Sequence, residues 1–146
     1  MARADFAFFH RFRVRWSEVD PQGVVFNARY LDYADIAITE YYRETRFREL
    51  HPDEPLEFHV KRAIVTWAKP IKADEMIEVM ARTVKSGTTS LTQLVEIHGV
   101  NDGDTDDLRA EVELVNVHVD LASHRPIPLP GWLVPCFAAF DGRSAG

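Results

Sequence analysis

The sequence predicts an α+β domain in which one long helix lies on a curved antiparallel sheet of five strands. Three observations predict it. A stretch with a period of two opens the chain, a single long amphipathic stretch follows, and the remainder divides into strand-like segments separated by turn signals.

The first element covers residues 8–16. Phe8, His10, Phe12, Val14 and Trp16 alternate with Phe9, Arg11, Arg13 and Arg15, the pattern of a half-buried strand. Its three arginines read as a solvated outer face rather than an anion site. A loop over 17–28 follows, broken by Pro21 and Gly23. Over 30–50, Ala34, Ile38, Tyr41 and Thr45 recur at helical spacing, widened by Leu31, Ala37 and Tyr42. Asp32, Asp35, Arg43 and Arg46 fall off this stripe, and His51-Pro52 ends it. The aromatic content of the stripe is what a helix wrapped by a sheet requires. Further strands are predicted at 58–67, 76–84, 90–98 and 109–121, with a tight turn at Ser86-Gly87-Thr88 and a solvated acidic loop over 101–107. Pro126, Pro128 and Pro130 then interrupt the chain before a short terminal helix at 132–140. Strands joined largely by hairpins imply an antiparallel sheet. Its edge strands need partners, and dimerisation through a sheet edge supplies one.

The chain of 146 residues fits a single domain over 1–146, large enough to bury a core without staples. At 46% hydrophobic and 27% charged it has the composition of a globular protein. A net charge of −6 argues against a nucleic-acid partner. Cys136 is the one cysteine, so an intrachain disulfide is excluded and a reducing, cytoplasmic location is expected. No apolar run reaches membrane-spanning length. The six histidines show no metal-binding spacing, and no metal or cofactor is expected. His59, Asp35 and Glu40 read as strand or helix-surface residues, and Trp67 and Trp132 as core or interface.

The densest run of unusual residues is Asp20 to Tyr30, between the first strand and the helix. Gly23 permits a tight turn or a close ligand approach. Val24, Val25 and Phe26 are apolar in a loop, as if they wall a pocket or a subunit contact. Asn27 is a candidate helix N-cap. A carboxylate beside helix N-terminal amides is a sufficient kit for acyl transfer: the amides hold an oxyanion while the carboxylate attacks the carbonyl or activates water. On local physics alone the favoured reading of Asp20 is a turn cap ahead of Pro21, since Asp-Pro turns are common.

The stretch Ser17-Glu18-Val19-Asp20-Pro21-Gln22-Gly23-Val24-Val25-Phe26-Asn27-Ala28-Arg29-Tyr30-Leu31 resembles the Asp-x-x-Gly-Val-Val signature of the 4-hydroxybenzoyl-CoA thioesterase family, which includes the Tol-Pal-associated acyl-CoA thioesterases. Phe58-His59-Val60-Lys61-Arg62, then Pro70 and Asp74 to Val79, resemble a second family stretch, and the similarity runs over roughly 10–121. The resemblance implies a hotdog fold, a homodimer or homotetramer, and metal-free hydrolysis of acyl-CoA or acyl-carrier thioesters. It assigns Asp20 as nucleophile or general base. It places Gly23, Val25 and Tyr30 around the acyl pocket, and a backbone N–H near Val60 or Lys61 on the thioester carbonyl. Lys85, Ser86 and Gly87 resemble a region that contacts CoA. Where family members carry Tyr and His after the two valines, this chain has Phe26 and Asn27. Asn27 resembles an asparagine of an acyl-carrier thioesterase subgroup, so acyl group and carrier stay open. The competing readings are a dehydratase, which wants a His shortly after the Asp, and an acyl-CoA-binding protein without turnover.

Overall fold

The computed structural model describes residues 2–145, the side chains of 144 and 145 excepted. Strand β1 (Phe8–Arg13) leads through a short 3-10 turn to helix α1 (Arg29–Thr45) and the single turn α2 (Phe47–Leu50). Strands β2 (Phe58–Trp67), β3 (Met76–Ser86), β4 (Ser90–Gly99) and β5 (Leu108–His118) follow, and helix α3 (Leu133–Asp141) comes after them. The sheet order is β1-β3-β4-β5-β2, antiparallel throughout. This is the hotdog fold: the sheet curves around α1.

The helix stripe forms as its spacing predicts. Tyr30, Tyr33, Ala34, Ala37, Ile38, Tyr41 and Thr45 are buried against the inner face of the sheet. That face presents Ile77, Val79, Ala81, Leu91, Val95, Ile97, Ala110, Val112 and Leu114. The other face of the sheet is covered by the N-terminal arm, where Phe6 and Phe9 pack on Met80 and Leu94. There Glu78 accepts hydrogen bonds from Arg3 and Arg11, and the Glu96 carboxylate lies 2.9 Å from His98 Nε2. Arg11 and Arg13 are exposed, as a solvated face requires, and meet acidic residues: Arg11 bonds Asp104 at 2.7 Å.

Three expectations need correction, and one connection is not a hairpin. The first strand ends at Arg13, because the Val14 N–H turns to Glu75 O, and Trp16 is 71% exposed instead of lying in the core. The predicted helix over 30–50 is two helices, split where Arg46 adopts a left-handed conformation (φ 59°, ψ 19°) and swings Phe47 into the core. Strand β2 does not pair with its sequence neighbour β3. It crosses to the far edge and pairs with β5, anchored there by Ala68 and Lys69 N–H groups bonding Arg109 O. Asn27 is not the helix cap: Ala28 holds that position, with no side-chain cap. Of the two tryptophans read as core or interface, Trp132 packs on the core and stacks on His51, whereas Trp67 is 51% exposed within one chain.

Candidate active site

The loop ahead of α1 is built by backbone hydrogen bonds that its sequence dictates. Gly23 N–H donates to Asp20 O at 2.9 Å, with Pro21 second and Gly23 fourth, the positions such a turn favours. Asp20 N–H then donates to Val24 O at 2.9 Å, which demands a left-handed residue at the bulge; Gly23 supplies it at φ 78°. Gly23→Ala has open space for its methyl group but a strained left-handed backbone, so it is expected to destabilise by about 1–2 kcal/mol, read as a fall in chemical-denaturation midpoint. Beyond the turn, Val24 bridges to Lys72 and Val25 N–H donates to Ile71 O at 2.8 Å, tying the loop to the β2–β3 crossover.

Asp20 is half-buried at this turn. Its Oδ1 accepts the Gln22 N–H at 2.8 Å, so the turn-capping role is real. Its second oxygen makes no hydrogen bond with the described residues and stays available. Just beyond it, the backbone N–H groups of Asn27 and Ala28 bond to no described residue, and α1 begins without a side-chain cap. One residue that sequence reasoning passed over holds this loop in place. Glu18 accepts the Arg15 N–H at 2.7 Å and the Tyr33 hydroxyl at 3.1 Å, while its carbonyl accepts Phe26 N–H. Burial, reinforced by the Glu18 charge, pushes the Tyr33 phenol up, so it remains a donor. The only sequence signal was an acid two residues ahead of Asp20.

The remaining candidate residues divide into two ends of the sheet. Val25 and Tyr30 are buried in the core beside Asp20; Tyr30 packs edge-on to Tyr33 and to Trp67, with ring centres 6.2 and 6.1 Å apart. Gly23, Phe26 and Asn27 are exposed. Val60 and Lys61 lie at the other end of β2, seven and six residues from Trp67, or roughly 20 Å at the rise of a strand. A β-bulge falls there: the register with β5 shifts between Val60 and Arg62, so Lys61 is the extra residue, and bulges leave such a residue unpaired. Lys85, Ser86 and Gly87 form the β3–β4 turn at that same end, since Ser86 pairs with Leu91, Leu91 with Asn116 and Asn116 with Val60. One chain therefore separates Asp20 from the Val60 bulge and from the β3–β4 turn. Between α1, β2 and β5 runs a groove of about 560 Å³, lined by the apolar Leu31, Ile38, Val60, Ala63 and Leu114 and by the polar Asp35, Thr39, Arg48 and Glu57. Among the described residues no group of three His, Cys, Asp or Glu could hold a metal ion, and no helix is long and apolar enough to cross a membrane.

One long helix wrapped by a five-stranded antiparallel sheet defines the class of the protein, a hotdog-fold domain. The chain belongs to the thioesterase-like superfamily, whose sequence model matches residues 14–137. It is similar to the acyl-CoA thioester hydrolase YbgC of Escherichia coli O6:H1, at 31% identity over 126 residues, covering 86% of this chain and 91% of that one. The acyl-CoA thioesterase YbgC of Haemophilus influenzae is 33% identical over 93 residues, 61% of this chain and 68% of that one. Among solved structures, a Thermus thermophilus thioesterase complexed with coenzyme A and zinc superposes with a TM-score of 0.79 at 29% identity, covering 95% of this chain and 98% of that one.

Proposed function

We propose that the protein hydrolyses acyl-CoA thioesters to a free acid and CoA, with Asp20 as nucleophile or general base. The observation that carries this reading is the Asp20 carboxylate, held by the turn through one oxygen and open at the other, in the loop that leads to α1. As a base, Asp20 takes a proton from water while the water oxygen attacks the thioester carbon. As a nucleophile, it forms an acyl anhydride that water then cleaves. In either route the carbonyl oxygen gains charge that backbone N–H groups hold, and the carbon–sulfur bond breaks to release the CoA thiolate, which takes up a proton. The relatives named as acyl-CoA thioesterases, and the one complexed with coenzyme A, support the choice of CoA over a carrier protein. Lys61, Arg62 and Lys85 are exposed, form no ion pair among the described residues, and suit the CoA phosphates, with Ser86 and Gly87 at the adjoining turn. The lone Cys136 suits the reducing cytoplasm, where this substrate class is handled.

A homodimer completes this site. Strand β2 is an edge strand whose residues are exposed on both faces, Val60 by 61% and Trp67 by 51%, and Phe26 and Leu31 add to the apolar surface. A second copy paired antiparallel through β2, about an axis near Ala63 and Ile64, sets the partner's Lys61 beside Thr66. That brings the bulge and its free N–H to the Asp20 end.

The direct test follows thiol release from a panel of acyl-CoAs and acyl-carrier thioesters. Release from the CoA series supports the proposal. Release from carrier thioesters alone moves the substrate to the carrier protein, and binding without release makes the chain a non-catalytic acyl-CoA binder. For the dimer, light scattering is expected to show two chains per particle. Ile64→Lys, which sets like charges across the proposed axis, is expected to give monomers and to lower turnover by about tenfold or more. Full activity from a monomeric wild type would overturn the shared site.

A further inference from the structure

The groove beside α1 mixes apolar side chains with exposed or half-buried polar ones, Asp35, Thr39, Arg48 and Glu57, and carries one buried polar side chain from β5. Asn116 is 4% exposed and lines the groove opposite Val60. Its orientation is set from inside the core by a chain of hydrogen bonds. Tyr41 commits its single hydroxyl hydrogen to the Asp141 carboxylate, at 2.9 Å. The Thr83 hydroxyl, 3.0 Å away, therefore donates to the Tyr41 oxygen. Thr83 Oγ1 in turn accepts from Gln93 Nε2 at 3.3 Å. This turns the Gln93 carbonyl the other way, where it accepts Tyr42 OH at 3.0 Å and Asn116 Nδ2 at 2.9 Å. Burial pushes the Tyr42 phenol up to about 12, so it remains a donor to Gln93.

With its amide nitrogen spent on Gln93, Asn116 has its carbonyl left over. Oδ1 makes no hydrogen bond with the described residues and is not among the fully enclosed polar atoms, so it opens on the groove. An acyl chain that is apolar throughout would cover this oxygen and strip it of water without a replacement donor, a cost that works against such a substrate. A chain bearing a hydroxyl would restore the bond. We propose that Asn116 is a specificity-determining residue that selects acyl groups carrying a hydroxyl, by accepting its hydrogen at Oδ1. The inference rests on the thioesterase reading above, and sharpens it from acyl-CoA to hydroxyacyl-CoA.

The test uses acyl-CoAs of one chain length, unsubstituted or hydroxylated at successive carbons, together with their non-hydrolysable thioether analogues. The wild type is expected to favour at least one hydroxylated member by about tenfold or more in kcat/KM, because a site built to bond a hydroxyl discriminates against its absence. Asn116→Val is expected to abolish or invert that preference. Asn116→Ala, which removes the acceptor without adding bulk to the core, serves where the valine variant does not fold, and is expected to lose the preference too. Equal turnover of all members by the wild type, or a preference that survives either variant, would overturn the role of Asn116. Binding of the thioethers separates the two layers of the argument. Tighter binding of a hydroxylated thioether with no turnover of any thioester leaves Asn116 as the selector and removes the hydrolase reading. Turnover with no hydroxyl preference in rate or binding does the reverse. Absence of both binding and turnover removes both.

Discussion

Replacing Asp20 with asparagine is expected to lower thioester turnover by about a thousandfold, within the range that one positioned acid–base group contributes. The carboxamide keeps the shape of the side chain, and its oxygen can still accept the Gln22 N–H that closes the turn. The loop should therefore survive, KM should move little, and kcat should carry the loss. The measurement is steady-state thiol release beside a thermal melt of both proteins. Turnover within about tenfold of the wild type at unchanged stability would remove Asp20 from the chemistry and leave it a turn cap. Oxygen-18 from water appearing in Asp20 after a single turnover would identify the covalent route.

Phe137→Ala is expected to have the largest effect on stability. Phe137 is 1% exposed and, with Leu133 and Phe140, carries α3 into the core. It stacks on Tyr41 with ring centres 5.5 Å apart and meets Phe47 and Tyr42 at 5.7 and 5.8 Å. Removing a ring enclosed by three others loses its burial and leaves a cavity that rigid aromatic neighbours cannot fill. The expected cost is about 3–5 kcal/mol, or about 10 °C or more in Tm for a chain of this size. A change below about 1 kcal/mol in denaturant unfolding would show that α3 is dispensable to the core.

These two residues also show what was legible in the sequence. Asp20 to Gly23 could be read because Asp-Pro-x-Gly encodes its own turn: each residue is suited to its position by local chemistry. The α1 stripe was legible for the same reason, since helical spacing alone decides which side chains share a face. Arg46 gave no warning. Left-handed breaks are normally marked by glycine, and here the burial of Phe47 outweighs the backbone cost of an arginine. The pairing of β2 with β5 was hidden too, because alternation tells which face is buried but not which strand lies alongside. The chain from Asn116 through Gln93 to Tyr42 was out of reach, since its members lie 23 and 51 residues apart and each polar residue alone reads as surface. In the site, the turn was therefore visible and the groove floor was not.

The bare outer edge of β2 has a consequence for how much enzyme a cell holds. On the proposed pairing, no chain owns a finished site, and two must meet before either can work. When the protein is scarce, the number of working sites then grows as the square of the number of chains, and becomes proportional to it once most chains are paired. A strand left open at the rim would thus turn a modest rise in expression into a steep rise in capacity.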